Sequence, residues 1–280
     1  MTKNEYKPIN DKSRLKLQGN LYIDVDSNYI KNIVNYLEDN NIKKPYNVLD
    51  AGCGFGYMTK KVFGNDDRFN VVGIDKSKKV IEEAKSKYNA DNITYKSIDI
   101  NNINNLYNEH FHIVYSTFML HHLPNAKEVI SKLWDTMSNK AGGVYVRSVE
   151  DDLRCRYPEI ENLNMLVESS NEVFNIDRKQ GRKLYSYMNE LNPRPNEIEI
   201  DFHEHNTSSM SLEEQKIHFD VFYSYRINPF KRQYNKPNST KEDKKEYEKM
   251  KKCLQYCRRE FETNPNLSDV LFIPICVAYK

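Results

Sequence analysis

The segment with the clearest chemical potential is a glycine-rich turn that directly follows an apolar run. Its sequence is Val48-Leu49-Asp50-Ala51-Gly52-Cys53-Gly54-Phe55-Gly56. Glycine lets the chain bend sharply and lets a ligand approach the backbone where a Cβ atom would stand in the way. In a dinucleotide fingerprint the third glycine comes one residue later, and the loop delivers a pyrophosphate to a helix N-terminus. The carboxylate of Asp50 would repel a pyrophosphate and favours a ligand that carries positive charge.

Two further carboxylates end the next two predicted strands. Asp75 follows Val71-Val72-Gly73-Ile74, and Asp99 follows Ser97-Ile98. The carboxyl ends of parallel strands share one edge of the sheet, where open α/β sheets bind their ligands. Asp75 has the position of an acid that accepts hydrogen bonds from a ribose diol, and Asp99 could accept one from an adenine amino group. With Asp50, these acids favour S-adenosylmethionine over a nicotinamide dinucleotide, although Asp75 alone does not separate the two.

The elements that must position these residues alternate between short β-branched runs and amphipathic helices, which is typical of a parallel α/β sheet. Val80, Ile81, Ala84 and Tyr88 form one helical stripe, and Val129, Ile130, Leu133, Trp134 and Met137 form another. The pattern predicts a doubly wound α/β fold with a mostly parallel seven-stranded sheet and helices on both faces. The predicted strands are residues 46–51, 69–74, 93–98, 111–117, 143–149, 197–204 and 270–278.

The flanking segments predict one domain over residues 1–280, without a linker that would divide it. Residues 1–45 are expected to form a polar arm followed by a helix at Tyr29 to Leu37, and residues 46–150 the cofactor-binding core. Residues 151–280 are expected to supply lid segments, a helical insertion and the last two strands. Ser-x-x-Glu patterns at Ser211 and Ser239 predict two helix starts within the insertion.

Composition excludes several classes of function. The 280 residues carry 42 basic and 40 acidic side chains, so no excess positive charge would collect nucleic acid or an anionic membrane. No apolar stretch approaches the roughly 18 residues that cross a bilayer, and we expect a cytoplasmic protein. The five cysteines are scattered and odd in number, which favours free thiols, and no metal site is expected.

The glycine loop and the acids at the strand ends resemble those of class I S-adenosylmethionine-dependent methyltransferases that act on small molecules. Asp50, Gly52, Gly54 and Gly56 match the first motif of that family, and Asp75 matches its ribose-binding acid. The resemblance spans residues 46–149 and implies S-adenosylmethionine as the cofactor and a small-molecule substrate.

The same resemblance assigns roles further along the sheet edge. Asp99 matches the acid that contacts adenine, and Lys76 and Ile100 would flank the adenine ring. Ser116 would lie beside the methionine end of the cofactor, in a segment whose Leu120-His121-His122-Leu123 ending is found in many small-molecule methyltransferases. The motif of base-modifying methyltransferases is absent at this place, so no nucleic-acid substrate is expected.

The identity of the methyl acceptor and the oligomeric state are left open by the sequence. His121 is a candidate general base because its side chain titrates near neutrality, or else a hydrogen-bonded wall residue. Residues 150–152 are acidic and would form a negative rim that attracts an amine, or else a solvated loop. Two other functions stay open: a nicotinamide-dependent oxidoreductase, and a non-catalytic partner protein that retains the cofactor pocket.

Overall fold

The apolar runs of the sequence form the strands of a mostly parallel sheet. The computed structural model describes residues 10–174 and 177–280. Its strands are β1 (Tyr46–Ala51), β2 (Phe69–Asp75), β3 (Ile93–Ser97), β4 (Ile113–Thr117), β5 (Gly143–Arg147), β6 (Arg154–Tyr157), β7 (Glu197–Asn206) and β8 (Ser268–Tyr279). This arrangement confirms the predicted fold class, with eight strands in place of seven.

The strands follow the order β3-β2-β1-β4-β5-β8-β6, and β7 also pairs with β8. The first five pair in parallel, whereas β8 is antiparallel to β5 and to β6. Because β1 to β5 run in one direction, their carboxyl ends lie along a single edge of the sheet. We call this edge, with the segments that directly follow these five strands, the carboxyl edge.

Ten α-helices lie within the described residues. They are α1 (Asp11–Asn20), α2 (Ile23–Asp39), α3 (Tyr57–Phe63), α4 (Lys78–Lys87), α5 (Ala126–Asp135), α6 (Glu161–Phe174), α7 (Leu184–Asn189), α8 (Leu212–Phe222), α9 (Asn228–Tyr234) and α10 (Lys241–Thr263). Short 3-10 helices follow β3 at Ile100–Glu109 and β4 at Leu120–His122. Among the described residues, no helix combines the length and the apolar character that a membrane span requires.

Helices cover both faces of the parallel strands, because alternate strand residues point to opposite sides. Apolar residues of α2, α3 and α4 pack on the face that Val48, Tyr115 and Tyr145 present. Apolar residues of α5 and α7 pack on the opposite face, against Leu49 and Val114. The two predicted helical stripes supply both sides, through Ile81 and Ala84 on one and through Val129 to Met137 on the other.

The chain forms two compact units. The first, which we call the sheet unit, comprises Leu21–Asp152, Asp177–His203 and Ile273–Lys280. The second, which we call the helical unit, comprises residues 10–20, 153–174 and 204–272 of the described chain. Strand β8 contributes to both: residues 275–279 pair with β5, and residues 268–271 pair with β6.

The interior of the helical unit contains a buried polar network centred on Asp269. Its carboxylate accepts hydrogen bonds from Arg156 Nε at 2.8 Å and from the Tyr223 hydroxyl at 2.6 Å, and its Oδ2 lies 2.9 Å from His218 Nε2. Burial alone would raise the pKa of Asp269, but His218 and Arg156 lower it to about 2. The network therefore keeps a charged carboxylate inside the helical unit.

Strand β6 was not predicted, because its residues do not follow an apolar pattern. The inward-facing residue of β6 is Arg156, whose side chain is 2% exposed and pairs with Asp269. A pattern search that looks for apolar residues takes such an arginine for a surface residue. Its burial becomes visible only through Asp269, which is far from it in sequence but lies opposite it on the neighbouring strand β8.

Two helix boundaries in the flanks also differ from the predictions. The polar arm contains helix α1, which the sequence did not indicate because its residues form no apolar stripe; the rest of the arm, residues 1–9, lies outside the described residues. The capping box at Ser211 is confirmed. The box predicted at Ser239 is wrong by one residue: Thr240 accepts from the backbone N of Asp243, while the backbone N of Ser239 closes a turn onto Lys236.

Candidate functional site

The glycine loop after β1 has a left-handed backbone at all three glycines. The φ angles of Gly52, Gly54 and Gly56 are +85°, +54° and +81°. A Cβ atom on Gly52 would lie 2.6 Å from Met119 Cγ, and one on Gly56 would lie 2.6 Å from the Tyr95 hydroxyl oxygen. Around Gly54 no atom of the described structure lies within 4 Å of such a Cβ. The outer glycines thus allow close packing, whereas Gly54 leaves its backbone open to a ligand.

Backbone hydrogen bonds hold this loop against the ends of the neighbouring strands. The amides of Gly52 and Cys53 both donate to the carbonyl of Ile74, each at 2.9 Å. The amide of Ile98 donates to the carbonyl of Asp75 at 3.1 Å, which joins the end of β2 to the end of β3. The glycine loop, Asp75 and the segment after β3 therefore occupy adjacent positions along the carboxyl edge.

Asp50 lies beneath the loop. Its side chain is 3% exposed, and its Oδ2 accepts a hydrogen bond from Thr59 Oγ1 at 2.6 Å. Burial raises the pKa of Asp50 to about 7, although the bond from Thr59 opposes the shift. A carboxyl group with this pKa is only partly ionised at neutral pH, and the side chain of Asp50 is buried away from solvent.

The two other acids lie nearer to solvent. Asp75 is half-buried, and its Oδ1 accepts from the backbone N of Ser77 at 2.9 Å. Its second oxygen takes up none of the hydrogen bonds found among the described residues. Asp99 is exposed and caps the following 3-10 helix, with Oδ1 accepting from the backbone N of Asn101 at 2.9 Å and from its Nδ2 at 3.0 Å.

The remaining predicted cofactor residues lie on the same edge. Lys76 is exposed, and its carbonyl accepts from Ser97 Oγ at 3.4 Å. Ile100 is half-buried and packs against the apolar cluster that includes residues of β1, β4 and α5. Ser116 is buried near the end of β4 and donates through Oγ to the carbonyl of Ala51 at 3.2 Å.

His121 follows β4 in the 3-10 helix Leu120–His122. Its side chain is 5% exposed, and its ring centroid lies 3.9 Å from that of His122. Its carbonyl accepts from the backbone N of Asp177 at 3.2 Å, which places the 177–181 segment beside it. His121 is thus at the carboxyl edge, in a buried setting.

The acidic residues after β5 do not form an uncompensated negative rim. Glu150 is buried and pairs with Arg182 at 2.6 Å, and Asp151 pairs with Arg178 at 3.0 Å. Asp152 pairs with Arg182 and Lys179, each at 2.8 Å. Since each carboxylate has a cationic partner, the expected attraction of this segment for an amine is not supported.

Sequence analysis missed a buried charged pair next to the predicted site. Asp26 of α2 is 0% exposed and forms a two-bonded ion pair with Arg147, the last residue of β5, which is 2% exposed. A signal was present, because Asp26 shares the apolar face of α2 with Ile30 and Ile33 at helical spacing. A charged residue on such a face requires a buried partner. The described residues hold no group of acids, histidines and cysteines that could bind a metal.

The comparisons with known proteins agree with this geometry. A family model described as a methyltransferase domain matches residues 48–140. These residues are therefore similar to a methyltransferase domain. The match covers β1 to the end of α5 and includes the glycine loop, Asp75 and Asp99. It supports the resemblance to methyltransferases over these residues.

Relatives of the methyltransferase domain include a viral protein and a bacterial one. The protein named methyltransferase 235L of Invertebrate iridescent virus 6 is 33% identical over 110 residues, which are 36% of this chain and 40% of the viral protein. A solved structure described as a methyltransferase from Bacillus halodurans has a TM-score of 0.50 at 14% identity, over 89% of this chain and 99% of that chain. The viral relative supports the domain, and the bacterial structure supports the fold.

Proposed function

We propose that the chain binds S-adenosylmethionine at the carboxyl edge and transfers its methyl group to a small-molecule acceptor, with release of S-adenosylhomocysteine. The observation that carries this proposal is the open backbone of Gly54 beside the carboxylate of Asp75, inside a methyltransferase domain. A nucleoside with an amino-acid tail needs both features, since its tail must pass close to the backbone and its ribose presents two hydroxyl donors.

The residues at the edge fit this cofactor along its length. Asp75 would accept from the ribose hydroxyls through the oxygen that Ser77 leaves available. Asp99 would accept from the adenine amino group, with Lys76 and Ile100 at the sides of the ring. Gly52, Gly54 and Gly56 would bring the backbone against the methionine portion, near Ser116.

Asp50 would contribute electrostatically. A cationic sulfonium held above the loop favours the ionised form of the buried carboxyl, whose pKa of about 7 leaves it able to respond at neutral pH. The two charges would stabilise each other across the loop without direct contact, in surroundings less polarisable than water.

The protein's part in the reaction is mainly positioning and exclusion of water. When bound, the cofactor supplies an electrophilic methyl group, and the acceptor must approach it in line with the departing sulfur. We propose that His121 removes the proton of the acceptor, since it lies at the end of β4, on the same edge as Ser116. The acceptor is a small molecule whose reacting atom we leave unassigned, because residues 150–152 give no support to an amine.

Calorimetric titration with S-adenosylhomocysteine tests the proposal. The wild-type chain is expected to bind, and Asp75→Asn is expected to bind at least about tenfold more weakly, because a charge-assisted contact becomes a neutral one. Asp67→Asn is the matched control, since Asp67 is an exposed carboxylate in the loop before β2. Equal affinity in wild type and Asp75→Asn, or binding of NADH in place of S-adenosylhomocysteine, contradicts the proposal.

A further inference from the structure

The pair of Asp26 and Arg147 is unusual in how completely one partner is satisfied. Oδ1 of Asp26 accepts from Arg147 Nε at 3.0 Å and from the Tyr145 hydroxyl at 2.5 Å. Oδ2 accepts from Arg147 Nη2 at 2.7 Å and from the Tyr115 hydroxyl. With four donors around it, the carboxylate has little remaining capacity for a further donor. The charge of Asp26 is therefore fully used within the fold.

The guanidinium of Arg147 is not satisfied to the same degree. Two aromatic rings lie against it, with the Cζ atom 3.8 Å from the centroid of Tyr22 and 4.5 Å from that of Phe118. Its Nε and Nη2 atoms bind Asp26, but Nη1 is buried and has no hydrogen-bond partner among the described residues. A buried guanidinium nitrogen without an acceptor loses the hydrogen bond that it would make to water, which destabilises the fold. Such a group calls for an acceptor in the guanidinium plane.

Two features place this nitrogen at the carboxyl edge. Arg147 ends β5 and pairs in register with Thr117, one residue beyond Ser116. Phe118, whose ring contacts the guanidinium, has a φ of +51°, and its amide donates to the carbonyl of Arg147 at 2.8 Å. An aromatic residue in the left-handed region is strained, and such strain gathers at ligand sites. Phe118 is only half-buried, so movement of its ring gives access to the guanidinium.

Two further buried polar atoms without a partner in the described structure lie near the end of β5, one on the next residue and one on a segment that bonds to Val149. They are Oγ of Ser148, the residue after Arg147, and Nε2 of Gln180. Gln180 precedes Gly181, whose amide donates to the carbonyl of Val149 at 2.9 Å. The end of β5 therefore gathers polar groups that the protein itself does not pair, which is expected where a polar ligand enters.

From this geometry we propose that Arg147 Nη1 binds a carboxylate group of the methyl acceptor. The inference rests on the proposed function and narrows its substrate class to small organic acids. A carboxylate fits because it offers in-plane acceptor oxygens and charge to a guanidinium that two aromatic rings contact. Arg147 is one strand further from the glycine loop than β4, which favours the acceptor over the amino-acid tail of the cofactor as the source of that carboxylate.

The test compares acids with their isosteric amides, so that only the charge differs. Binding of acetate, benzoate and 4-aminobenzoate is measured by calorimetry against acetamide, benzamide and 4-aminobenzamide, with and without S-adenosylhomocysteine. At least one acid is expected to bind about tenfold or more tightly than its amide. The preference is expected to disappear in Arg147→Lys, which keeps a charge opposite Asp26 but lacks Nη1. Arg182→Lys, at a half-exposed arginine paired with Glu150, is the matched control and is expected to retain the preference.

Three outcomes overturn the assignment. In the first, no acid outbinds its amide, so that Nη1 holds water only; in the second, the preference persists in Arg147→Lys. In the third, Arg147→Lys weakens S-adenosylhomocysteine but not 5′-methylthioadenosine, which makes the carboxylate that of the donor. The comparison of acid and amide in wild type holds even if the variant does not fold. Failure of the wild-type chain to bind S-adenosylhomocysteine would count against the proposed function. The acid and amide titrations without S-adenosylhomocysteine would still test the role of Arg147.

Discussion

Replacement of Asp50 by Asn is expected to remove a pH dependence of stability that its burial creates. The folded state raises the pKa of this carboxyl from 3.8 to about 7, mainly through desolvation. A shift of this size corresponds to roughly 4 kcal/mol between the fully protonated and fully ionised limits. Because the pKa is raised on folding, the associated stability is complete below pH 3.8 and is lost as the pH rises through about 7. Asn preserves the oxygen that accepts from Thr59 and carries no charge.

The assay is denaturant unfolding at several pH values, followed through the fluorescence of Trp134. This residue is the only tryptophan of the chain, and it is buried in the sheet unit that contains Asp50. The free energy of unfolding of Asp50→Asn minus that of wild type is expected to grow by about 4 kcal/mol between pH 4 and pH 8. The subtraction cancels the other titrating groups. The control variant Asp67→Asn is expected to track wild type.

The same substitution tests the electrostatic part of the cofactor proposal. Wild-type affinity for S-adenosylmethionine, whose sulfur is cationic, is expected to rise with pH up to about 7 more steeply than affinity for S-adenosylhomocysteine, whose sulfur is neutral. In Asp50→Asn this difference in steepness is expected to vanish. Parallel stability curves for wild type and Asp50→Asn would refute the reasoning, since they would mean that Asp50 ionises in the fold without penalty.

Three more predictions follow from individual contacts. Thr59→Val removes the hydrogen bond that lowers the pKa of Asp50, so this pKa is expected to rise. The loss of stability with rising pH is then expected to extend to higher pH in the variant than in wild type. The same pH dependence of unfolding in both proteins would contradict this. Gly54→Ala is expected to cost only about 1–2 kcal/mol of stability but to abolish most S-adenosylhomocysteine binding, whereas Gly52→Ala, which clashes with a side chain, is expected to cost more stability. Denaturant unfolding measures the stability of both variants and calorimetry measures their binding. An equal loss of stability in the two variants would contradict this. The partners of Asp269 lower its pKa to about 2 against the effect of burial. These interactions stabilise the helical unit by about 2 kcal/mol above pH 3.8. That contribution is expected to disappear below pH 2, and acid unfolding followed by far-ultraviolet circular dichroism measures the loss. If Asp269→Asn unfolds in acid as wild type does, the contribution of Asp269 is contradicted.

The parts of the fold that could be predicted from sequence are those that local patterns determine. β1 to β5 were predicted because each is an apolar run bounded by turn residues, and α4 and α5 because their apolar residues recur at helical spacing. Asp75 and Asp99 were placed on one edge because parallel strands end together. Their capping bonds to the following turns are also local, being two residues apart.

The features that escaped prediction depend on partners that are far apart in sequence. Asp26 and Arg147 are separated by 121 residues, and Arg156 and Asp269 by 113. In each pair at least one charged side chain reads locally as a surface residue, and its partner becomes known only when both residues are placed in three dimensions. The state of Asp50 escaped for a related reason, because its pKa depends on how completely the loop and α3 cover it.

The central claim is that the carboxyl edge holds a nucleoside with its ribose at Asp75 and its amino-acid tail over Gly54. A crystal structure of the chain with S-adenosylhomocysteine measures this directly. We expect ribose hydroxyls within about 2.6–3.0 Å of the Asp75 carboxylate and the ligand sulfur near Ser116, beside the glycine loop. A ligand bound away from this edge, or one whose ribose makes no contact with Asp75, would contradict it.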